Sequence, residues 1–159
     1  MRKLLTMVTG LVMLGSFVPS ATALTISDPR EDSSQFNVRY AKLVRPTRTT
    51  YSWTMITYGD FGTGGLSPLA PDLLIDIKGT TAPDYRIKFY AVFDFSCQVQ
   101  RPGVTYVRSA TATHPTSRSV VCSFSTQGLG QTKPIRWKAS WPMIGYTDRV
   151  PDAGYAVGV

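Results

Sequence analysis

The sequence predicts an all-β fold, an antiparallel β-sandwich of about eight strands. Short segments rich in aromatic and β-branched residues alternate between apolar and polar positions, and turn residues separate them every 8–15 residues or so. Beyond the first 23 residues, no long window has the spacing of an amphipathic helix. We expect an immunoglobulin-like or jelly-roll-like sandwich, and a small β-barrel is the alternative.

The first 23 residues have the pattern of a secretory signal peptide. Arg2 and Lys3 precede an apolar run of 15 residues, and small residues follow it up to Ala23. The run is shorter than the ~20 residues that cross a bilayer. We therefore predict cleavage after Ala23 and a single domain over 24–159, secreted or periplasmic and without a membrane span after cleavage.

The mature chain carries a moderate positive charge. Removing 23 of the 159 residues leaves 136, the length of one ordinary domain. Without Arg2 and Lys3 it has 15 basic and 10 acidic residues, a net charge of +5. This excess favours anionic partners such as nucleic acid, phospholipid surfaces or acidic wall polymers, and it equally favours solubility alone.

The chain has two cysteines, Cys97 and Cys122, and in an exported protein such a pair predicts one disulfide bond. Cys97 falls on the apolar face of its predicted strand, and Cys122 shares a face with Val120 and Phe124. With no second cysteine pair and a single histidine, a zinc site is not expected. We predict no metal and no cofactor.

The sequence predicts eight strands. They are 36–44, 51–58, 73–78, 85–99, 104–113, 119–126, 135–141 and one in the tail after Pro142. The longest, Tyr85–Val99, alternates without a charged residue on its apolar face. Fifteen extended residues span ~50 Å, more than the ~35–40 Å of such a domain, so this strand should bend near Ala91 or project as an arm. Residues 24–35 are predicted to be a loose leader.

No set of residues in the sequence has the pattern of a catalytic site. His114, followed by Pro115, falls in a predicted loop, where a histidine is usually solvated, and no G-x-S-x-G nucleophile elbow occurs. Five aspartates are candidates for a hydrolytic pair, although their spacing favours no particular two. These are Asp60, Asp72, Asp76, Asp84 and Asp94. A small secreted hydrolase using Asp carboxylates is thus the alternative to a binding protein.

A basic and aromatic surface is the main candidate for ligand binding. Its residues project from the outer faces of two predicted strands: Arg86, Lys88, Tyr90, Arg136 and Lys138. If the two strands are neighbours, the surface suits a phosphate or sulfate polymer, through charge and stacking. The alternative is a scatter of solubilising charges.

The turn-rich segment 59–71 is the second candidate, and it contributes Asp60 and Phe61. Loops of this length often carry binding sites. Phe61, Leu66 and Leu69 form either an exposed contact patch or a cap over the sandwich. Four aromatic residues could line a carbohydrate site, but they fall on apolar faces and are predicted to be core residues: Tyr51, Trp53, Trp137 and Trp141.

The sequence therefore favours an exported, non-enzymatic binding or interaction protein of the cell envelope or extracellular space. Its predicted partner is an anionic polymer, an envelope component or another protein. A third hypothesis is a structural subunit of a fibre or surface layer, in which exposed edge strands pair between copies.

Overall fold

The computed structural model describes residues 22–30, 36–62, 70–80, 82–91, 94–129, 135–142 and 147–158. These residues form eleven strands and no helix. The strands are β1 (Thr22–Ser27), β2 (Val38–Thr47), β3 (Thr50–Thr57), β4 (Asp72–Asp76), β5 (Tyr85–Ala91), β6 (Phe95–Arg101), β7 (Val104–Thr116), β8 (Ser119–Ser125), β9 (Arg136–Pro142), β10 (Thr147–Val150) and β11 (Ala156–Val157).

The all-β prediction is confirmed, and every strand pair is antiparallel. The strands follow one path, β1-β2-β3-β8-β7-β6-β5-β4-β9-β10, and β11 pairs with β9 beside it. The count exceeds the predicted eight because β1 and β10 are additional and because the segment 85–99 forms two strands.

Strand β7 is the corner at which the path folds over itself. Its first half pairs with β6 and its second half with β8. Cys97 of β6 and Cys122 of β8 flank β7 and form the predicted disulfide, with their Cα atoms 6.2 Å apart. In a flat sheet, strands two positions apart are separated by ~9.6 Å. The chain therefore bends sharply at β7, between the partners of the two cysteines, Ala110 and Ala112.

The two ends of the path also approach each other, which makes the sheet barrel-like and nearly closed. The amide of Val38, the first residue of β2, donates a hydrogen bond of 2.6 Å to the Asp148 carboxylate of β10. Leu24 of β1 packs beside Gly158, which follows β11. The interior holds the large aromatic side chains, and all four predicted core aromatics are fully buried: Tyr51, Trp53, Trp137 and Trp141.

The segment 85–99 is a hairpin, so the prediction of one long strand is wrong. β5 and β6 pair with each other, Ala91 opposite Phe95, and the chain reverses between them. The bend expected near Ala91 is therefore a complete reversal. Neither a single bent strand nor a straight projecting arm is formed.

Several predicted boundaries also differ from the observed ones. β1 occupies part of the predicted loose leader, and it begins at Thr22, so the predicted cleavage point after Ala23 falls within it. Residues 1–21 lie outside the described part, and signal-peptide cleavage stays a prediction. His114 was expected in a loop, but it lies in β7 because that strand continues to Thr116. No helix among the described residues has the length and apolarity needed to cross a membrane.

Candidate functional site

The residues of the predicted basic and aromatic surface lie on the same side of the sheet. Arg86, Lys88 and Tyr90 belong to β5, and Arg136 and Lys138 belong to β9. The two strands are not direct neighbours, because β4 lies between them. The register still aligns the charges, since Leu74 of β4 pairs with Arg86 on one side and with Lys138 on the other.

Strand alternation fixes the direction of these side chains. On β5 the odd-numbered residues Tyr85, Ile87 and Phe89 are buried, so the even-numbered ones point outward. On β9 the same parity holds, with Trp137 and Ala139 fully buried. The apolar faces of the strands therefore hold the cations on the outside. Neighbouring outward residues on one strand are ~7 Å apart, and β5 and β9 are ~10 Å apart.

Strand β4 contributes acidic groups to this surface. The Arg86 Nε lies 3.4 Å from an Asp72 carboxylate oxygen, and the Arg136 Nη1 lies 3.0 Å from one of Asp76. Burial raises the pKa of the Asp72 carboxyl, and the positive charges of Arg86 and Lys88 oppose that shift. Two of the arginines are thus partly neutralised by the central strand.

Three further cations on this surface make no direct ion pair within the described part of the chain, although Lys88 lies opposite Asp72 in the register and its charge acts on that carboxyl. Lys88, Lys138 and Arg149 belong to none of the ion pairs among the described residues. Arg149 of β10 pairs with Ser140, next to Lys138 on β9. Burial and the adjacent charge of Arg149 lower the pKa of Lys138, while Asp152 opposes this. Lys138 and Arg149 therefore lie close enough for their positive charges to repel each other.

Two tyrosine rings border the cations. The Lys88 Nζ lies 5.5 Å from the centre of the Tyr90 ring. The Arg136 Cζ and the Lys138 Nζ lie 5.2 and 5.8 Å from the centre of the Tyr155 ring. These distances are those of cation–π contacts. We call the whole surface the basic face; it comprises Arg86, Lys88, Tyr90, Arg136, Lys138, Arg149 and Tyr155.

Beyond Arg86, the basic face continues into a hollow at the end of the sheet. Two adjoining depressions of about 540 and 560 Å³ share Tyr85 and Arg101 in their walls, and Arg86 and Gln100 line the larger one. The Arg101 guanidinium lies over the Tyr85 ring, 4.9 Å from its centre, and donates a hydrogen bond to its hydroxyl. Volumes of this size are typical of small-ligand sites. An arginine on an aromatic ring is a fixed donor for an anionic group.

Asp60 and Phe61 do not belong to the basic face. Asp60 accepts hydrogen bonds from Ser117 and Arg118, at the turn between β7 and β8. These two hydrogen bonds lower the pKa of the Asp60 carboxyl, and the one from Arg118 has the larger effect. Phe61 is 6% exposed and packs against Trp141 and His114, so it caps the core, which is one of the two arrangements that the sequence allowed. Leu66 and Leu69 lie outside the described residues.

Sequence reasoning missed Arg149, Tyr155 and Arg101 as members or neighbours of the basic face. Arg149 lies in β10, a four-residue strand with no recognisable alternation. Tyr155 precedes β11, and Arg101 ends β6, two residues beyond the end of the predicted strand 85–99. The excess of positive charge in the chain was the one general signal that pointed to them.

Comparison with family models, with curated proteins and with solved structures finds no match for this chain.

Proposed function

We propose that this chain is an exported, non-enzymatic binding protein whose basic face holds an extended anionic polymer. The observation that carries the proposal is the group of three unpaired cations, Lys88, Lys138 and Arg149, on one side of the sheet. Cations that make no direct ion pair are available to attract anions, and because they lie on a rigid sheet, little conformational entropy is lost when a ligand binds.

A linear polymer fits the shape of the basic face better than a compact ligand does. The cations are spread over three strands in a grid with steps of ~7 and ~10 Å, without a central cavity. The hollow at Tyr85 and Arg101 lies next to Arg86 at one side and offers space for a single unit of such a polymer. The shared chemistry of the ligand is a row of sulfate or phosphate groups.

The test is a binding titration of the purified protein at several salt concentrations. The probes are a heparin fragment, a polyphosphate chain and single-stranded oligothymidylate, which separate sulfated from phosphorylated polymers. Because each neutralised phosphate contributes about −0.7 to the slope of log K against log salt for a single strand, three cations give a slope of about −2. The double variant Lys88→Gln/Lys138→Gln should reduce the slope to about −0.7.

Lys42→Gln is the matched control. Lys42 lies in β2, between β1 and β3, and is also half-buried and outside every ion pair of the described residues. This variant should bind as the wild type does. Affinity that does not depend on salt, or equal losses in the control and the double variant, would exclude the basic face as the site.

The hydrolase and assembly hypotheses stay predictions. The outer carboxylates of β4 are engaged with Arg86 and Arg136, and we propose no catalytic residue. The projecting strand that would have favoured assembly is a hairpin within the sheet.

A further inference from the structure

Three aspartates meet where the two ends of the sheet path come together. Asp28 follows β1, Asp148 lies in β10, and Asp152 lies in the turn after β10. One carboxylate oxygen from each residue lies within 4.8 Å of the other two. Residues more than a hundred positions apart in the chain thus bring three acidic groups to one point.

Asp148 is the central group of this cluster and is almost fully inaccessible, with 1% of its surface exposed. Its Oδ2 accepts the hydrogen bond from the Val38 amide. Its Oδ1 is buried and has no hydrogen-bond donor among the described residues. The ion pairs of that part of the chain include neither Asp148 nor Asp152. A buried carboxylate oxygen without a donor is uncommon, since its desolvation costs free energy.

The neighbours of Asp148 increase this cost. Asp28 is also buried, with 5% of its surface exposed, and a hydrogen bond between the two side chains requires one of them to be protonated. When both are ionised, two negative charges lie side by side with Asp152 near them. Burial raises the pKa of Asp148, and the charge of Asp152 raises it further, while hydrogen bonds from the Val38 amide, Asp28 and the Arg149 amide act in the opposite direction. A proton or a cation between the carboxylates would relieve this repulsion.

We propose that Asp28, Asp148 and Asp152 form a calcium site that joins the two ends of the sheet. All the donors are oxygens, which suit a hard cation, and Ca²⁺ bonds of about 2.3–2.6 Å allow ligand oxygens up to ~5 Å apart on one ion. The separation of at most 4.8 Å meets this condition. Asp152 is exposed and provides the entrance, and water completes the coordination there.

Bound calcium would act at the junction between β1 and β10, the first and last strands of the path. Asp28 follows β1, whereas Asp148 and Asp152 belong to β10 and the turn after it. The ion would therefore connect two strands that do not pair with each other among the described residues. The calcium site adjoins the basic face, because the charge of Asp152 also acts on Lys138, but the inference does not rest on polymer binding there.

The test uses the purified protein freed of metal with a chelator. Calorimetric titration with CaCl₂ should give one site with a Kd of about 10⁻⁴–10⁻³ M, the range of extracellular modules. At a hundred times the Kd, calcium should raise the Tm by about 8 °C. NaCl of equal ionic strength should not reproduce this shift.

Asp152→Asn and Asp148→Asn are the informative variants, and Asp94→Asn is the control. Asp152 is exposed in a turn, so its variant should fold, bind calcium at least tenfold more weakly and lose most of the Tm shift. Asp94 is an exposed aspartate at the β5–β6 turn, and its variant should respond as the wild type does. If a proton shared by Asp28 and Asp148 replaces the cation, the wild type gives no calcium heat and no Tm shift, and the proposal is wrong. An unchanged response in Asp152→Asn also overturns it.

Discussion

At the residue scale, aspartates near the basic face stabilise a turn. The Asp76 carboxylate accepts hydrogen bonds from the amides of Gly79 and Thr80, at 2.7 and 3.2 Å. The Asp84 carboxylate accepts them from the amides of Ile77 and Lys78, at 2.9 and 3.0 Å. Two of the five aspartates considered for hydrolysis thus cap the connection between β4 and β5. One oxygen of each carboxylate accepts these backbone bonds, and the other is ion-paired, with Arg136 for Asp76 and with Lys78 for Asp84.

The Asp84 contacts make stability depend on pH. Burial, the largest single influence, raises the pKa of Asp84, but hydrogen bonds from the Lys78 side chain and from the Ile77 and Lys78 amides together outweigh it, so the pKa lies below its usual value. A carboxyl with a lowered pKa stabilises the fold above the unfolded-state pKa of ~3.9, and the contribution disappears as the pH falls through the folded-state pKa.

We therefore predict that Asp84→Asn lowers the free energy of unfolding by about 2 kcal/mol at pH 7, because charged hydrogen bonds are lost. The difference from the wild type should shrink below pH 4, as the wild-type carboxyl becomes protonated. Urea unfolding at pH 7, 5 and 3 measures it. Asp94→Asn, at an exposed turn, should change little at any of these pH values, and a constant difference for Asp84→Asn across the series would contradict this explanation.

At the element scale, the β5–β6 hairpin explains why one strand was predicted. Its partners are Phe89 with Cys97 and Ile87 with Val99. In this register an odd-numbered residue always faces an odd-numbered one, so the alternation of apolar residues continues in phase through the turn. Periodicity alone cannot detect a reversal of this kind. The length argument showed only that a straight strand would exceed the size of the domain, and it predicted a bend or a projecting arm where the chain reverses.

Other elements were missed or predicted only in part, for different physical reasons. In β2 the pairing shifts between Val38 and Tyr40, so the buried positions change from even to odd numbers at Ala41 and Leu43. The sequence showed only the first of the two phases. β10 has four residues and β11 has two, which is too short for periodicity. Strands with regular alternation, such as β3 and β8, were placed correctly within one residue.

The candidate site could be predicted from the sequence only in part. The outward direction of Arg86, Lys88 and Lys138 followed from alternation within each strand. Their common location depended on the order of strands in the sheet, which a local pattern does not contain. Arg149 joins them only because β10 pairs with β9. The aspartate cluster was beyond prediction, because Asp28 and Asp148 meet through closure of the whole path.

The disulfide links two elements, β6 and β8, across the corner strand β7. Its loss should lower the free energy of unfolding by about 3 kcal/mol, since it closes a loop of moderate length in the unfolded chain. Urea unfolding of the Cys97→Ala/Cys122→Ala variant without reductant measures the loss. Dithiothreitol should destabilise the wild type by a similar amount and leave the double variant unchanged. A wild type that is insensitive to reductant would show that the bond adds little.

At the scale of the whole molecule, closure of the sheet separates two kinds of surface. The core aromatics fill the interior, the cations of the basic face lie on the outer side of β5, β9 and β10, and three aspartates lie where β1 and β10 approach. Five cations therefore share one side of the sheet, and two of them are ion-paired with aspartates of β4. This distribution explains how a modest net charge is compatible with a local site for a polyanion.

The most direct test of polymer binding on the basic face is a map of amide chemical shifts on adding a short heparin oligosaccharide at low salt. We predict that the largest shifts occur in β5, β9 and β10, including the amides of Lys88, Lys138 and Arg149, and that they diminish at physiological salt because counterions compete for the cations. Shifts confined to β2, β3 and β8, or a protein whose amides do not respond to any of the three polyanions, would contradict the account.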